Sequence, residues 1–323
     1  MTEPTRHRGK HGGHRGHGES HSLKVPASVS LVSRVVESYR WIGLAIVIVS
    51  ESATLAQIEP FWSWNTPIAW TGFILFADGV VWHARGRSWL RSNPREFAFL
   101  AVVSIPLWVV FEGYNQLIDN WYYVGLPENP LLRCFGYAWS FATIWPAIFE
   151  GAELVAVWRG TEGPNDVHSA TPVARALGPA MWLSVAAGAA MLIWPLVRPS
   201  QYLAAPVWLG FIFLVDPINW HLGATSIFAD IRRGRYDRLV NLVLSGLLCG
   251  ALWEFWNYWS RAKWHYTVPI MQDLKIFEMP LPGYLGFPAF AVECFTMYVF
   301  VRTLWIRSRR GPARGRPDDP IAL

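Results

Sequence analysis

Along the chain, apolar residues gather in blocks separated by short polar segments. Each block is close to the roughly 20 residues that an α-helix needs to cross a bilayer core of about 30 Å. The blocks fall at 39–57, 67–84, 97–115, 138–158, 174–195, 202–220, 239–258 and 285–306. The pattern predicts an all-α polytopic membrane protein with eight transmembrane helices. The first block is a full span rather than the short apolar region of a cleavable signal, so no signal peptide is expected.

The blocks repeat one another. "WTGFILFADGVVWH" (Trp70–His83) and "WLGFIFLVDPINWH" (Trp208–His221) share seven of fourteen residues, 138 positions apart. Downstream, "VFEGYNQLIDNWYY" (Val110–Tyr123) aligns with "LWEFWNYWSRAKWHY" (Leu252–Tyr266) when one residue is inserted. Glu112 and Asn115 then face Glu254 and Asn257, and Trp121 and Tyr123 face Trp264 and Tyr266. Glu150 in "WPAIFEGAEL" faces Glu293 in "FPAFAVECFTM". The expected domains are a four-helix unit over 38–160, a linker over 161–172 and a second unit over 173–306. Because four is even, the two units have one orientation, as in parallel-repeat membrane proteins.

Charge sets the expected topology. With eight spans, one side of the membrane collects 23 of the 28 Lys and Arg residues. The positive-inside rule places that side, and both termini, in the cytoplasm of an inner membrane. The net charge of +5 belongs to these loops and suits an anionic leaflet, so no nucleic-acid partner is expected. Composition agrees: 52% of the 323 residues are hydrophobic, 16% are charged, and 20 are tryptophan.

The flanking segments read differently. Residues 1–37 form an expected disordered tail rich in His, Gly and Arg, and 307–323 a basic, proline-rich tail. No zinc spacing, P-loop, dinucleotide turn or Glu-x-x-His pair is present, so no metal site is expected, and the sequence leaves the cofactor unknown.

The chemistry therefore rests on polar residues inside the spans, each of which costs about 2.5–3.5 kcal/mol on insertion scales. The duplicated set is Asp78/Asp216, His83/His221, Glu112/Glu254, Asn115/Asn257 and Glu150/Glu293. Glu112, Glu150, Glu254 and Glu293 are the candidate catalytic groups, and the Asp, Asn and His residues their polar support. Trp121, Tyr123, Trp264 and Tyr266 are the candidate aromatic lining. Asp78 and Asp216 can equally clamp helices, and His83 and His221 can be interfacial residues beside belt tryptophans. "DPIN" (Asp216–Asn219) is expected to break the second helix of the later unit. Pro280, Pro282 and Pro288 interrupt the loop leading into the last span, which implies a cavity wall.

Buried carboxyl groups beside aromatic faces suit proton transfer to a carbon–carbon double bond, because aromatic quadrupoles stabilise a cation. Glu112, Glu150, Glu254, "MPLP" (Met279–Pro282) and Glu293 resemble the pattern of the small membrane-embedded lycopene cyclases of carotenoid synthesis. That resemblance implies an isoprenoid lipid as substrate and the glutamates as its acid–base groups. This chain has single glutamates where that family carries adjacent acidic residues. The expected partners are the bilayer and a hydrophobic small molecule or lipid. A proton-coupled transporter or channel, and a non-catalytic membrane scaffold, remain alternatives.

Overall fold

The computed structural model describes residues 27–163 and 178–310. The chain divides into two compact units, Met1–Val36 and Glu37–Leu323, and the second carries everything that follows. The histidine-rich tail, most of the linker and the end of the C-terminal tail lie outside the described residues.

The fold is all-α. Its helices are α1 (Ala27–Leu55), α2 (Phe61–Arg85), α3 (Trp89–Ser92), α4 (Pro94–Ile118) and α5 (Pro130–Arg159). They continue with α6 (Pro179–Val197), α7 (Ala204–His221), α8 (Ile227–Arg232), α9 (Asp237–Trp259) and α10 (Gly286–Arg310). Four very short strands accompany them: β1 (Trp121–Val124), β2 (Lys263–Tyr266), β3 (Lys275–Ile276) and β4 (Met279–Pro280). Among the described residues, six helices are long and apolar enough to cross a membrane: α4, α5, α6, α7 with its preceding turn, α9 and α10 with its preceding turn. The helix α2 falls outside that set; its 25 residues include Asn65, Asp78, His83 and Arg85.

Several boundaries differ from the sequence expectation. Helix α1 reaches back to Ala27, so the later part of the expected tail is helical. Helix α7 does not break at "DPIN" but runs through Pro217 to His221. Proline removes one helical donor and crowds the preceding turn. Here packing carries the helix through: Ser184 Oγ on α6 donates at 2.9 Å to Phe213 O, the carbonyl that Pro217 leaves without its helical donor.

Two crossings bring helix backbones into contact through glycine. A methyl group on Gly43 of α1 would stand 2.6 Å from Gly72 O of α2. One on Gly188 of α6 would stand 2.7 Å from Gly210 O of α7 and 2.3 Å from Leu214 N. Small residues let membrane helices approach this closely, and the dispersion contact is the gain.

The core is aromatic. Trp70 on α2 packs edge-on to Trp253 on α9 at 5.8 Å, and Trp208 on α7 stacks on Phe111 of α4 at 5.1 Å. At one end of the bundle, β1 and β2 pair antiparallel, with Trp121 opposite Tyr266 and Tyr123 opposite Trp264. At the other end, Arg159 of α5 pairs with Asp237 at the start of α9, and Arg302 of α10 pairs with Glu96 at the start of α4.

Candidate functional site

Asp78 and Asp216 have the same local task. Each is fully buried and accepts hydrogen bonds from the start of the short helix that follows it. Asp216 takes Ser226 Oγ at 2.6 Å, Ile227 N at 2.8 Å and Phe228 N at 2.9 Å. Asp78 takes Ser88 Oγ and Leu90 N, both at 2.8 Å, and also the Tyr39 hydroxyl. A helix start exposes backbone donors that a carboxylate satisfies well. Both aspartates therefore clamp α3 and α8 beneath the bundle. The sequence signal was available: a serine follows each aspartate by ten residues. His83 and His221 occupy the last turns of α2 and α7 and are exposed there, away from the β1–β2 end.

Asn115 and Asn257 hold the strands. Asn115 Oδ1 accepts from Asn120 N at 2.9 Å and Trp121 N at 3.0 Å, while Nδ2 donates to Trp121 O at 2.8 Å. Asn257 pairs with both backbone groups of Trp264, each at 2.9 Å. Each asparagine thus acts as a side-chain substitute for a strand neighbour, fixing where the aromatic residues after it point.

What they fix is a pair of acid–tyrosine contacts. The Tyr123 hydroxyl donates to Glu112 Oε1 at 2.5 Å, and Trp108 Nε1 donates to the same oxygen at 2.8 Å. The Tyr266 hydroxyl donates to Glu254 Oε1 at 2.7 Å and accepts from Trp264 Nε1 at 2.7 Å. Burial, reinforced by the neighbouring glutamates, raises both tyrosine hydroxyls well above their ordinary range. They hold their protons and serve as donors.

Tyr123 and Tyr266 both line a cavity of about 420 Å³ at the β1–β2 end. Trp108, Trp121, Trp208, Trp253, Trp264 and Phe290 form much of its wall. Met279, Pro280, Pro282 and Gly283, in the proline-rich segment, form the other side. The cavity's lining includes exposed Tyr202, just before α7, and exposed Leu285, just before α10. None of its lining residues is acidic or basic. The four glutamates therefore do not line it, as the sequence reading would have placed them. Glu112 reaches it through Tyr123 and Trp108, and Glu254 through Tyr266.

Glu150 and Glu293 sit deeper and are fully buried. Among the described residues, neither Glu150 oxygen has a hydrogen-bond donor, although the Asp78 carboxyl lies beside it, and Glu293 has one, Phe211 N at 3.3 Å. Among the described residues, no Lys, Arg or His forms an ion pair with Glu112, Glu150, Glu254 or Glu293. The Trp108, Trp208, Trp253 and Phe290 positions were not singled out in the sequence. Their tryptophans resemble belt residues until the halves are seen to converge.

A second cluster braces the cavity from outside. Glu278, between β3 and β4, meets Lys263 Nζ at 3.1 Å and His265 Nδ1 at 2.8 Å on β2. Burial opposes ionisation of Glu278, but the hydrogen bonds and charges of His265 and Lys263 outweigh it and hold the carboxyl below its usual range. Among the described residues, no group of three or more His, Cys, Asp or Glu is placed to hold a metal ion.

No protein-family model, no curated protein and no solved structure matches the chain.

Proposed function

We propose that the chain is an eight-span inner-membrane protein built as two parallel four-helix repeats, 38–160 and 173–306, with both termini cytoplasmic. The repeated contacts support this reading: the aspartate clamps, the asparagine–tryptophan pairings, the glycine crossings and the acid–tyrosine contacts each occur once per half. The β1–β2 register is unchanged when the two halves are exchanged, as a two-fold axis along the membrane normal requires. The basic loops favour the end carrying α3 and α8 as the cytoplasmic one.

In this frame the cavity opens toward the outer leaflet and takes up a hydrophobic lipid, of isoprenoid type. The observation that carries the proposal is that two acid–tyrosine pairs, one from each half, meet on the wall of one aromatic cavity. Once the Tyr266 hydroxyl hydrogen turns from Glu254 toward a ligand double bond, a protonated Glu254 donates to the Tyr266 oxygen, and its proton replaces the one that Tyr266 gives to carbon. The resulting carbocation is held by the aromatic faces. The Glu112 carboxylate, through Tyr123, takes a proton from a neighbouring carbon. One proton enters and one leaves, so the product is an isomer or a ring and no oxidant is required. At the end away from the cavity, ion pairs of Arg159 with Asp237 and of Arg302 with Glu96 tie neighbouring helices together.

The test is proton exchange into carbon. Membranes containing the protein, incubated in D2O, should yield an isoprenoid lipid with a carbon-bound deuterium. Glu254→Gln membranes should not. Absence of any deuterated lipid in the wild type would overturn the acid–base reading.

A further inference from the structure

The walls of the cavity carry more information than apolarity. Trp108 is the hub, with Trp253 at 5.7 Å, Phe290 at 5.7 Å, Trp121 at 6.0 Å and Trp208 at 6.4 Å between ring centroids. Trp264 joins through Trp253 at 5.9 Å. Four indoles and a phenyl ring in mutual contact thus form one continuous surface, with Trp264 extending it. A site meant only for hydrocarbon is served as well by leucine and isoleucine, which pack densely without polar edges. Tryptophan adds a negative ring face, the strongest of the side chains in attracting a cation.

The charge balance points the same way. Two glutamates stand one tyrosine hydroxyl behind this wall, and neither has a basic partner among the described residues. Glu254 is fully buried, and among the described residues its Oε2 has no hydrogen-bond partner. No lining residue is Lys, Arg or His, so nothing on the wall repels positive charge. Acidic groups placed so can be neutralised by a proton, or by a cation that the chain itself does not supply.

We infer that the cavity is selective for a poorly hydrated cationic centre on an apolar chain. This rests on the proposed lipid-binding role and specifies its ligand chemistry. The centre is either a carbocation formed on the bound lipid or the quaternary ammonium group of a lipid headgroup; the recognition is the same. Aromatic cages bind such ions because little hydration must be lost while several ring faces are gained. The volume of about 420 Å³ lies near the lower end for ligand pockets. It holds the cationic end of an amphiphile while the rest of the chain stays in the bilayer.

The experiment compares two probes on the full chain in nanodiscs: dodecyltrimethylammonium, and its neutral isostere with carbon in place of nitrogen. Binding is read from tryptophan fluorescence and competition. The ammonium should bind at least about tenfold tighter, the size expected for a desolvated cation on several rings. Trp208→Leu should lose that preference, and so should Glu112→Gln combined with Glu254→Gln, which keeps side-chain volume if the indole substitution perturbs folding. Equal binding of the two probes would overturn the cation selectivity and leave the lipid-binding role standing. Binding of neither would overturn both. Repeating the titration in choline-lipid and ethanolamine-lipid discs separates the sources. Weaker probe binding in choline lipid identifies a headgroup competitor, and equal binding identifies the transient cation.

Discussion

Tyr266 gives its hydroxyl hydrogen to Glu254 across 2.7 Å, joining the last residue of β2, on the cavity wall, to a carboxyl buried in helix α9. The contact exists because Asn257 pins the backbone of Trp264 two residues earlier. Tyr123, Glu112 and Asn115 repeat the arrangement in the first half. The account of the site follows from this relationship: acid held behind a tyrosine, tyrosine held by a strand, strand held by an asparagine.

If the pair acts as a unit, Tyr266→Phe and Glu254→Leu should not be additive. Each single change leaves the other partner of the hydrogen bond unpaired, and the double change removes both. A double-mutant cycle on thermal unfolding in detergent should give a coupling of about 1–3 kcal/mol. Additive effects would mean that the hydrogen bond contributes nothing distinctive.

The aspartates should behave differently from the glutamates. Asp216→Ala strips three donors of their acceptor and should cost on the order of 2–5 kcal/mol of stability. Asp78→Ala should behave alike. Glu254→Gln with Glu293→Gln should instead leave the fold intact and abolish function. Unfolding temperatures of the two sets check this, and a stable, fully active Asp216→Ala protein would refute the clamp.

Gly188→Leu should separate α6 from α7, because the added carbon meets backbone atoms that cannot move aside alone. Overpacking costs typically about 1–3 kcal/mol and more where backbone is struck. Gly43→Leu should give a matching loss at the α1–α2 crossing. Unfolding in mixed micelles measures both.

The all-helical class, six of the apolar helices and the paired polar positions were legible in the sequence, because long apolar blocks announce themselves and a duplicated motif marks both of its copies. Among the described residues, the other two expected spans, in α1 and α2, are not among the helices long and apolar enough to cross a membrane. The positions of the glutamates relative to the cavity were not legible. Facing Glu112 toward Tyr123 depends on a four-residue strand, "WYYV", too short to show an alternating pattern, and on its pairing with "KWHY" in the other half. "DPIN" misled for a related reason: a proline's effect on a helix is decided by what packs around it, here Ser184 on α6, which bonds the carbonyl of Phe213. The role of Asp78 was written locally, in Ser88, but its meaning needed the chain to turn back.

Glu278 predicts an acid-sensitive brace. Its carboxyl titrates below the usual glutamate value of about 4.3, so its contribution is fully present above that value. It is lost as pH falls through the lower folded value. Leu281 N, which donates to Leu274 O at 3.0 Å beside this brace, should keep its hydrogen-exchange protection above about pH 4.3 and lose it in stronger acid. In a Glu278→Gln protein the acid step should vanish.

The most direct measurement is native mass spectrometry of the protein released from nanodiscs. The account predicts one retained apolar molecule per chain, of isoprenoid mass or with a quaternary ammonium group, and its loss from the Trp208→Leu protein. A chain that emerges empty from membranes containing such lipids, while remaining folded, would contradict the account.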